Sequence, residues 1–85
     1  MKVLIPSPLY SYTKRREVDA TGATLGELFA DLDRQYRGLR FRVIDEQGQI
    51  RPHVRVFVNG EQVMDLTRVL ATSDGVQIVQ ALSGG

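Results

Sequence analysis

The sequence predicts an α+β fold in which one main helix packs across one face of a mixed β-sheet. Three features predict it: a capped amphipathic segment after Thr24, alternating valines from Val54 to Val58, and short apolar strand candidates near both ends of the chain. A single helix between two pairs of strands can bury its apolar stripe only by lying across a sheet that contains all the strands.

The first two strands are expected to form a hairpin. Val3-Leu4-Ile5 is a short run rich in branched residues, and Pro6-Ser7-Pro8 ends it in a turn. Residues 9–13 are expected to form a loop. Residues 15–19 then predict a second strand, which is polar enough to lie at an edge of the sheet, where its charges protect free backbone groups.

The helix has the clearest signal in the chain. Thr24 and Glu27 form a capping box, and Tyr36 continues the apolar stripe that follows them. The stripe itself has the i, i+3, i+4, i+7 spacing: Leu25, Leu28, Phe29 and Leu32. Gly38 is the expected C-terminal stop. Residues 40–50 begin with alternating apolar side chains and stay unassigned.

The second pair of strands completes the sheet. Val54–Val58 is the strongest strand, and Asn59-Gly60 favours a two-residue type I′ turn into a return strand over residues 61–64. Asp74-Gly75 marks a further turn before a last strand over residues 76–81. The simplest closure places the first and last strands together at the centre of a mixed sheet. That arrangement is the β-grasp, or ubiquitin-like, fold, here a single domain over residues 1–81 with a flexible tail over residues 82–85.

The composition excludes most enzyme classes. The chain has 85 residues, no cysteine and one histidine, which removes disulfides, thiolate metal sites and cysteine nucleophiles. His53 lies alone at the start of a strand and is interpreted as a partly exposed structural residue. The carboxylate pairs Asp31/Asp33 and Asp45/Glu46 lie on polar stretches and are interpreted as solvated faces or turns. We therefore expect no catalytic residue and no metal site.

Charge argues against nucleic acid as a partner. The net charge is only +1, and the local basic run Lys14-Arg15-Arg16 is followed at once by Glu17 and Asp19 without interleaved aromatic residues. Further arginines follow at Arg34, Arg37, Arg40 and Arg42. A protein-docking surface or simple solvation explains these residues better than nucleic-acid binding, which stays a minor alternative.

No membrane association is expected either. No apolar run approaches the roughly 20 residues needed to span a bilayer. The apolar stretch between Met1 and Pro6 is too short for a secretory signal, so the expected location is the cytoplasm.

The chain ends in Leu82-Ser83-Gly84-Gly85, directly after the last predicted strand. Neither of the last two residues has a Cβ, so access to the α-carboxylate of Gly85 is unhindered. Such a tail can thread a narrow channel in another enzyme and present its carboxylate to a bound nucleotide. The alternative is a frayed terminus or a linker remnant.

Taken together, these motifs resemble the ThiS/MoaD/CysO family of ubiquitin-like sulfur carriers over nearly the whole chain. The motifs that carry the resemblance are Val54 to Gly60, the turn Asp74-Gly75-Val76 and the ending Leu82 to Gly85. Members often have Gly-Asp before the last strand, whereas this chain has Ser73-Asp74-Gly75. That departure concerns the turn and leaves the tail unaffected.

The resemblance implies a division of labour with partner enzymes. A ubiquitin-activating-type adenylyltransferase, similar to MoeB or ThiF, would use ATP and Mg²⁺ to adenylate the carboxylate of Gly85. A sulfur donor would then convert it to a thiocarboxylate for a sulfur-accepting synthase in cofactor or cysteine biosynthesis. Gly84, Ser83 and Leu82 would thread the partner's channel. The carrier itself would bind no cofactor, and the family leaves the pathway open.

Strand alternation predicts where such a partner docks. If the valines and isoleucines of the central strands face the helix, then Leu4, Phe57 and Val79 face outward beside the root of the tail, with Arg55 as a polar rim. A loop or a second copy of the chain could instead cover this patch. A ubiquitin-like modifier or adaptor that acts without sulfur transfer is the alternative function, with the same fold and tail.

Overall fold

Five strands in residues 1–81, the part of the chain that this computed structural model describes, form one mixed sheet. The strands are β1 (Lys2–Leu4), β2 (Glu17–Asp19), β3 (Val54–Val58), β4 (Glu61–Gln62) and β5 (Gly75–Gln80). Their order across the sheet is β2-β1-β5-β3-β4. Strands β1 and β5 run parallel, and the other neighbours are antiparallel. The predicted pairing of the first and last strands inside the sheet is confirmed.

The main helix, α2 (Leu25–Gln35), begins where the sequence predicts. Thr24 is extended, and its Oγ1 accepts a hydrogen bond from the Glu27 backbone N–H at 3.2 Å, which satisfies one free donor of the first turn. The four apolar residues of the predicted stripe are all fully buried: Leu25, Leu28, Phe29 and Leu32. The predicted amphipathic core helix is therefore confirmed.

The inner face of the sheet supplies the other half of the core. Its inward residues are at most 4% exposed: Val3, Ile5, Val56, Val58, Val76 and Ile78. Burying a branched aliphatic side chain stabilises a fold by about 1.5–3 kcal/mol. A one-residue slip of a central strand would expose its whole inward set to water, so the register is strongly specified.

Residues 9–13 are not the predicted loop. They belong to a 3-10 turn (Ser7–Leu9) and a short helix, α1 (Tyr10–Thr13), in which Leu9 and Thr13 are buried. A proline is tolerated in the first turn of a helix because the N–H that it lacks would have no partner there. The Thr13 hydroxyl donates to the Arg15 carbonyl at 2.7 Å, and Lys14 ends α1 at a φ of 59°.

The segment left unassigned after Gly38 forms a short helix, α3 (Leu39–Val43), rather than a strand. Helix α2 already ends at Gln35, so Gly38, with a φ of 94°, is the residue before α3 instead of the stop of α2. Burial explains the choice, because Leu39 and Val43 are four residues apart and both fully buried.

The two edge strands are shorter than predicted. Strand β2 begins at Glu17 rather than at residue 15, and β4 ends at Gln62 rather than at Met64. The Val63 N–H still donates to the Val56 carbonyl at 2.8 Å, but Met64 turns away and is 78% exposed. Short edge strands offer few free backbone groups to other chains.

The Asn59-Gly60 turn has the predicted geometry and also anchors β5. Both residues have positive φ, 51° and 86°, as a type I′ turn requires. The Asn59 amide donates to Asp74 Oδ1 at 2.8 Å, and its oxygen accepts from the Gly75 N–H at 2.9 Å. The Asp74 carboxylate also accepts from the Ala71 N–H at 2.8 Å. The turn before β5 is therefore tied to the turn after β3.

We expect the Asp74→Asn variant to lose less stability in acid than the wild type. The Ala71 N–H, followed by the Asn59 amide, lowers the pKa of Asp74 below its ordinary value of 3.8. A lowered pKa in the folded state stabilises the fold above the unfolded pKa, and this contribution disappears as the pH falls through the folded value. Urea unfolding between about pH 6 and pH 2.5 measures the slope. The control is Glu46→Gln, an exposed residue that accepts no hydrogen bond within residues 1–81. Equal slopes for Asp74→Asn and wild type would contradict the prediction.

Candidate partner-binding site at the root of the tail

The last described backbone contact before the tail joins β5 to the start of β3. The Ala81 N–H donates to the His53 carbonyl at 2.9 Å, one residue beyond the Val54–Gln80 pair of the β3–β5 ladder. The four predicted tail residues, Leu82, Ser83, Gly84 and Gly85, lie outside the described residues. The site that can be built from the structure is therefore the surface around the end of β5.

The predicted patch residues lie on the sheet face opposite α2. Leu4 is 42% exposed, Val79 is 37% exposed and Phe57 is half-buried. In the strand register Leu4 and Phe57 both lie opposite Gln77, on either side of it. These three apolar side chains thus share one face of three neighbouring strands, β1, β5 and β3, and the predicted alternation is confirmed. Their use by a partner stays a prediction.

Arg55 is exposed, and its guanidinium makes hydrogen bonds to the backbone. Its Nη1 donates to the Pro52 carbonyl at 2.6 Å and to the Val54 carbonyl at 3.2 Å. Strand β4 does not extend along this part of β3, so the guanidinium satisfies carbonyl groups at an open stretch of the sheet edge. Arg55 lies opposite Val79 in the ladder, which places it beside the patch as the alternation predicts.

The sequence reasoning missed the contribution of Gln77. It lies between Leu4 and Phe57 and is exposed, so any partner seated on the patch contacts a central amide. The signal was present in the sequence, because Gln77 lies two residues before Val79 and period-two alternation puts both on one face. The prediction selected outward-facing apolar side chains for the patch, and the polar Gln77 was therefore left out.

A cavity of about 450 Å³ adjoins the patch and was also missed. Leu4 and Val79 form one side, and Pro6, Tyr10 and Arg16 lie among the residues of the other. Its far wall is built by the 3-10 turn, where the sequence predicts a turn, and by the start of α1, where the sequence predicts a loop. Gln80 also lines this cavity, and its Oε1 is buried without a hydrogen-bond donor from residues 1–81.

In the two carboxylate pairs, Asp31, Asp33 and Asp45 hold local structure, whereas Glu46 is exposed. Asp31 accepts a hydrogen bond from the Thr21 N–H at 3.0 Å and forms an ion pair with Arg34. The hydrogen bond from Thr21 and, to a lesser extent, Arg34 lower the pKa of Asp31. Asp45 Oδ1 accepts from the N–H groups of Gln47 and Gln49, at 2.9 and 3.0 Å, and so closes a turn. Within residues 1–81 no three His, Asp or Glu side chains are grouped so that they could hold a metal ion.

None of the helices formed by residues 1–81 combines the length and the apolar character needed to cross a membrane. The longest of them, α2, has 11 residues.

Comparison with known proteins adds family relationships to this geometry. The model of the ThiS family matches residues 3–85. The sulfur carrier protein CysO of Mycobacterium tuberculosis (strain H37Rv) is 35% identical over an alignment of 89 residues. The alignment covers 98% of this chain and 96% of that protein. The small archaeal modifier protein 3 of Haloferax volcanii is 36% identical over 66 residues, which cover 74% of this chain and 71% of that protein.

Solved structures agree with the sequence relatives. A chain in the crystal structure of the Amycolatopsis orientalis BexX/CysO complex superposes with a TM-score of 0.90 at 30% identity, covering 99% of this chain and 98% of that one. The crystal structure of SAMP1 from Haloferax volcanii superposes with a TM-score of 0.81 at 28% identity, covering 100% of this chain and 98% of that one.

Proposed function

Because the chain belongs to the ThiS family of ubiquitin-like sulfur carriers, we propose that it carries sulfur as a thiocarboxylate on the α-carbonyl of Gly85. The observation that carries the proposal is that the family match runs through Gly85, while residues 1–81 fold as a β-grasp domain. Gly85, which carries the reacting carboxylate, and Gly84 before it both lack a Cβ, which favours entry into a narrow channel.

The chemistry explains why the carrier needs an activating partner. A carboxylate does not exchange oxygen for sulfur directly, because oxide or hydroxide is a poor leaving group. In the proposed first step a carboxylate oxygen of Gly85 attacks the α-phosphorus of ATP and pyrophosphate leaves. The resulting acyl adenylate is a mixed anhydride with a good leaving group. Sulfide then attacks the acyl carbon, AMP leaves, and a thiocarboxylate remains. With a persulfide donor the same attack gives an acyl disulfide, and a thiol of the partner must attack its outer sulfur to release the thiocarboxylate and form a disulfide.

ATP, Mg²⁺ and the catalytic side chains belong to the adenylyltransferase in this scheme. The carrier contributes the carboxylate and a surface that positions it. Its carboxylates in residues 1–81 are largely engaged in turns and ion pairs, as Asp31, Asp45 and Asp74 illustrate. A sulfur-accepting synthase is the second proposed partner.

The apolar patch of Leu4, Phe57 and Val79 is the proposed docking surface for the adenylyltransferase. Exposed apolar side chains grouped on one face mark protein-binding sites more often than scattered ones do. The patch shares strand β5 with the root of the tail, so a partner that covers the patch also receives the residues that follow Ala81.

We expect the Leu4→Asp variant to bind the adenylyltransferase about tenfold more weakly, because a buried apolar contact at the centre of an interface contributes more than about 1 kcal/mol. The measurement is the apparent KM for the carrier in pyrophosphate release. Met64→Asp is the matched control, since Met64 is also an exposed apolar residue, 78% exposed, and lies outside the patch. If the two variants raise KM equally, the patch is not the docking surface.

Cysteine biosynthesis is the pathway that the comparisons favour for this carrier. The relatives that match nearly the whole chain at 35% identity are CysO carriers, and a chain of the BexX/CysO complex is a near-complete structural match. The proposed acceptor is accordingly a synthase that takes sulfur from the thiocarboxylate into a cysteine precursor.

The test is an intact-mass measurement of the full chain. The protein is incubated with its adenylyltransferase, ATP, Mg²⁺ and sulfide, and the expected product is heavier by about 16 Da, because one oxygen is replaced by sulfur. Omission of ATP is the control and leaves the mass unchanged. A chain that reaches the adenylate but never gains these 16 Da would contradict the sulfur-carrier proposal.

A protein-modifier role is the second candidate, and the similarity to small archaeal modifier protein 3 supports it. In that role a lysine amine of a target protein would attack the same acyl adenylate or a thioester, and AMP or the thiol would leave as the isopeptide bond forms. The two functions separate in the same reaction mixture. Conjugates that survive reducing denaturing electrophoresis and contain the Gly85 carbonyl in an isopeptide bond indicate a modifier, whereas the thiocarboxylate alone indicates a carrier.

A further inference from the structure

Four arginines surround the place where β5 ends. Arg42 and Arg51 line a cavity of about 390 Å³ that Gln80 also lines, and Arg16 lines the neighbouring cavity of about 450 Å³ on the other side of Gln80. Arg55 lies opposite Val79 in the β3–β5 ladder. We call these four residues the basic collar. Arg16 is 26 positions from Arg42 in the sequence, and the two lie at the same end of the sheet because Gln80 of β5 lines both cavities.

The collar is a local excess of charge in a nearly neutral chain. The net charge is +1, from 11 basic and 10 acidic residues. Within residues 1–81 the ion pairs are Lys2–Glu17, Arg34–Asp31 and Arg68–Glu61, none of which includes a collar residue. Neither cavity is lined by an Asp or a Glu. Other acidic side chains accept hydrogen bonds from backbone N–H groups, as Asp33 does from Gly38 and Arg40.

Neutral groups position three of the collar residues without cancelling their charge. The Arg51 guanidinium lies 4.6 Å from the centre of the Phe41 ring, and its Nε donates to the Phe41 carbonyl at 2.8 Å. The Arg42 guanidinium lies 5.9 Å from the centre of the Tyr12 ring. Arg55 donates to two backbone carbonyls. Side chains held in this way lose little further entropy when a carboxylate binds them.

We propose that the basic collar docks against an acidic rim at the mouth of the adenylyltransferase channel that receives the tail. This inference rests on the proposed function and specifies the chemistry of the partner. Opposite charges placed around the point of insertion accelerate encounter and fix the orientation of the tail. A protein is a better partner for the collar than nucleic acid for two reasons. Arg51 covers one face of the Phe41 ring, so a base cannot stack on that face. The net charge of the chain is only +1, which gives little general attraction for phosphates.

The test compares two double variants with the same change in net charge. Arg16→Glu with Arg42→Glu reverses two collar charges, and Arg34→Glu with Arg68→Glu reverses two basic residues that line neither cavity. The apparent KM for the carrier in pyrophosphate release is measured at several salt concentrations. We expect the collar pair to raise KM at least about tenfold at low salt, the control pair to change it less than about twofold, and added salt to reduce the difference.

The neutral pair Arg16→Gln with Arg42→Gln keeps the test decisive if the reversed pair folds poorly, and it should raise KM by a smaller factor. Equal KM values for the collar and control pairs would overturn the collar while leaving the adenylation of wild type, and hence the proposed function, intact. Failure of wild type to release pyrophosphate would overturn both. Loss of binding to a single-stranded RNA 20-mer in the collar pair, with KM unchanged, would show nucleic acid as the collar's ligand and also overturn the proposal.

Discussion

Deletion of Gly84 and Gly85 will abolish thiocarboxylate formation and leave the domain folded. The proposed reacting group lies on Gly85, whereas the buried core residues of the described structure all precede Ala81. We expect no gain of about 16 Da after incubation with adenylyltransferase, ATP and sulfide. The midpoint of thermal unfolding should stay within about 2 °C of wild type, since a shift of that size corresponds to well under 1 kcal/mol in a domain of this size.

The Ser83→Ala variant is the control for this deletion, because it alters the tail and keeps its length and both glycines. It should gain sulfur at a rate close to that of wild type. A deletion variant that still gained sulfur would place the acceptor group elsewhere in the chain. A deletion variant that unfolded would show that the tail belongs to the domain.

Replacement of Gly22 by alanine will destabilise the fold by about 3 kcal/mol, at the upper end of what overpacking costs. A Cβ on Gly22 would lie 2.8 Å from both the Glu27 carbonyl carbon and Leu28 Cα, and closer still to the Leu28 nitrogen. All of these are backbone atoms of the first turns of α2, so no side-chain rotation relieves the contact. The chain must instead move away from the helix, and the midpoint of urea unfolding should fall accordingly.

Gly48→Ala is the comparison that separates packing from backbone conformation. Gly48 has a φ of 79°, and no atom lies within 4 Å of a Cβ placed there. The left-handed conformation alone costs an alanine about 1–2 kcal/mol. If the unfolding midpoints of Gly22→Ala and Gly48→Ala fall equally, the backbone at residue 22 moves away from α2 at little cost. That result would contradict the prediction for Gly22.

The core of the fold could be predicted from the sequence because its signals agree with one another. Around Thr24 the cap and the apolar stripe both indicate a helix, and around Asn59 the valine alternation and the turn both indicate a hairpin. Residues 9–13 lacked such agreement. Thr13 is polar and follows two prolines and two serines, Pro6, Ser7, Pro8 and Ser11, which favour a turn or loop. Its burial, which belongs to the tertiary structure, is not visible in that local pattern.

The candidate site was predicted in part for the same reason. Alternation identifies Leu4, Phe57 and Val79, because period two applies to any strand. The basic collar follows from topology rather than from local pattern. Arg16 and Arg51 are 35 positions apart in the sequence and line neighbouring cavities that share Gln80, because β5 runs between β1 and β3.

The central position of β5 means that the sheet can form only after nearly the whole chain has been synthesised. Strand β5 pairs with β1 and β3 on its two sides, so the sheet lacks its middle until residues 75–80 are available. Closing contacts between β1 and β5 across some 70 intervening residues carries a loop-closure cost that must be met before the core forms. A nascent chain interrupted before β5 therefore cannot form this sheet, so the domain and the residues that follow it become available only together.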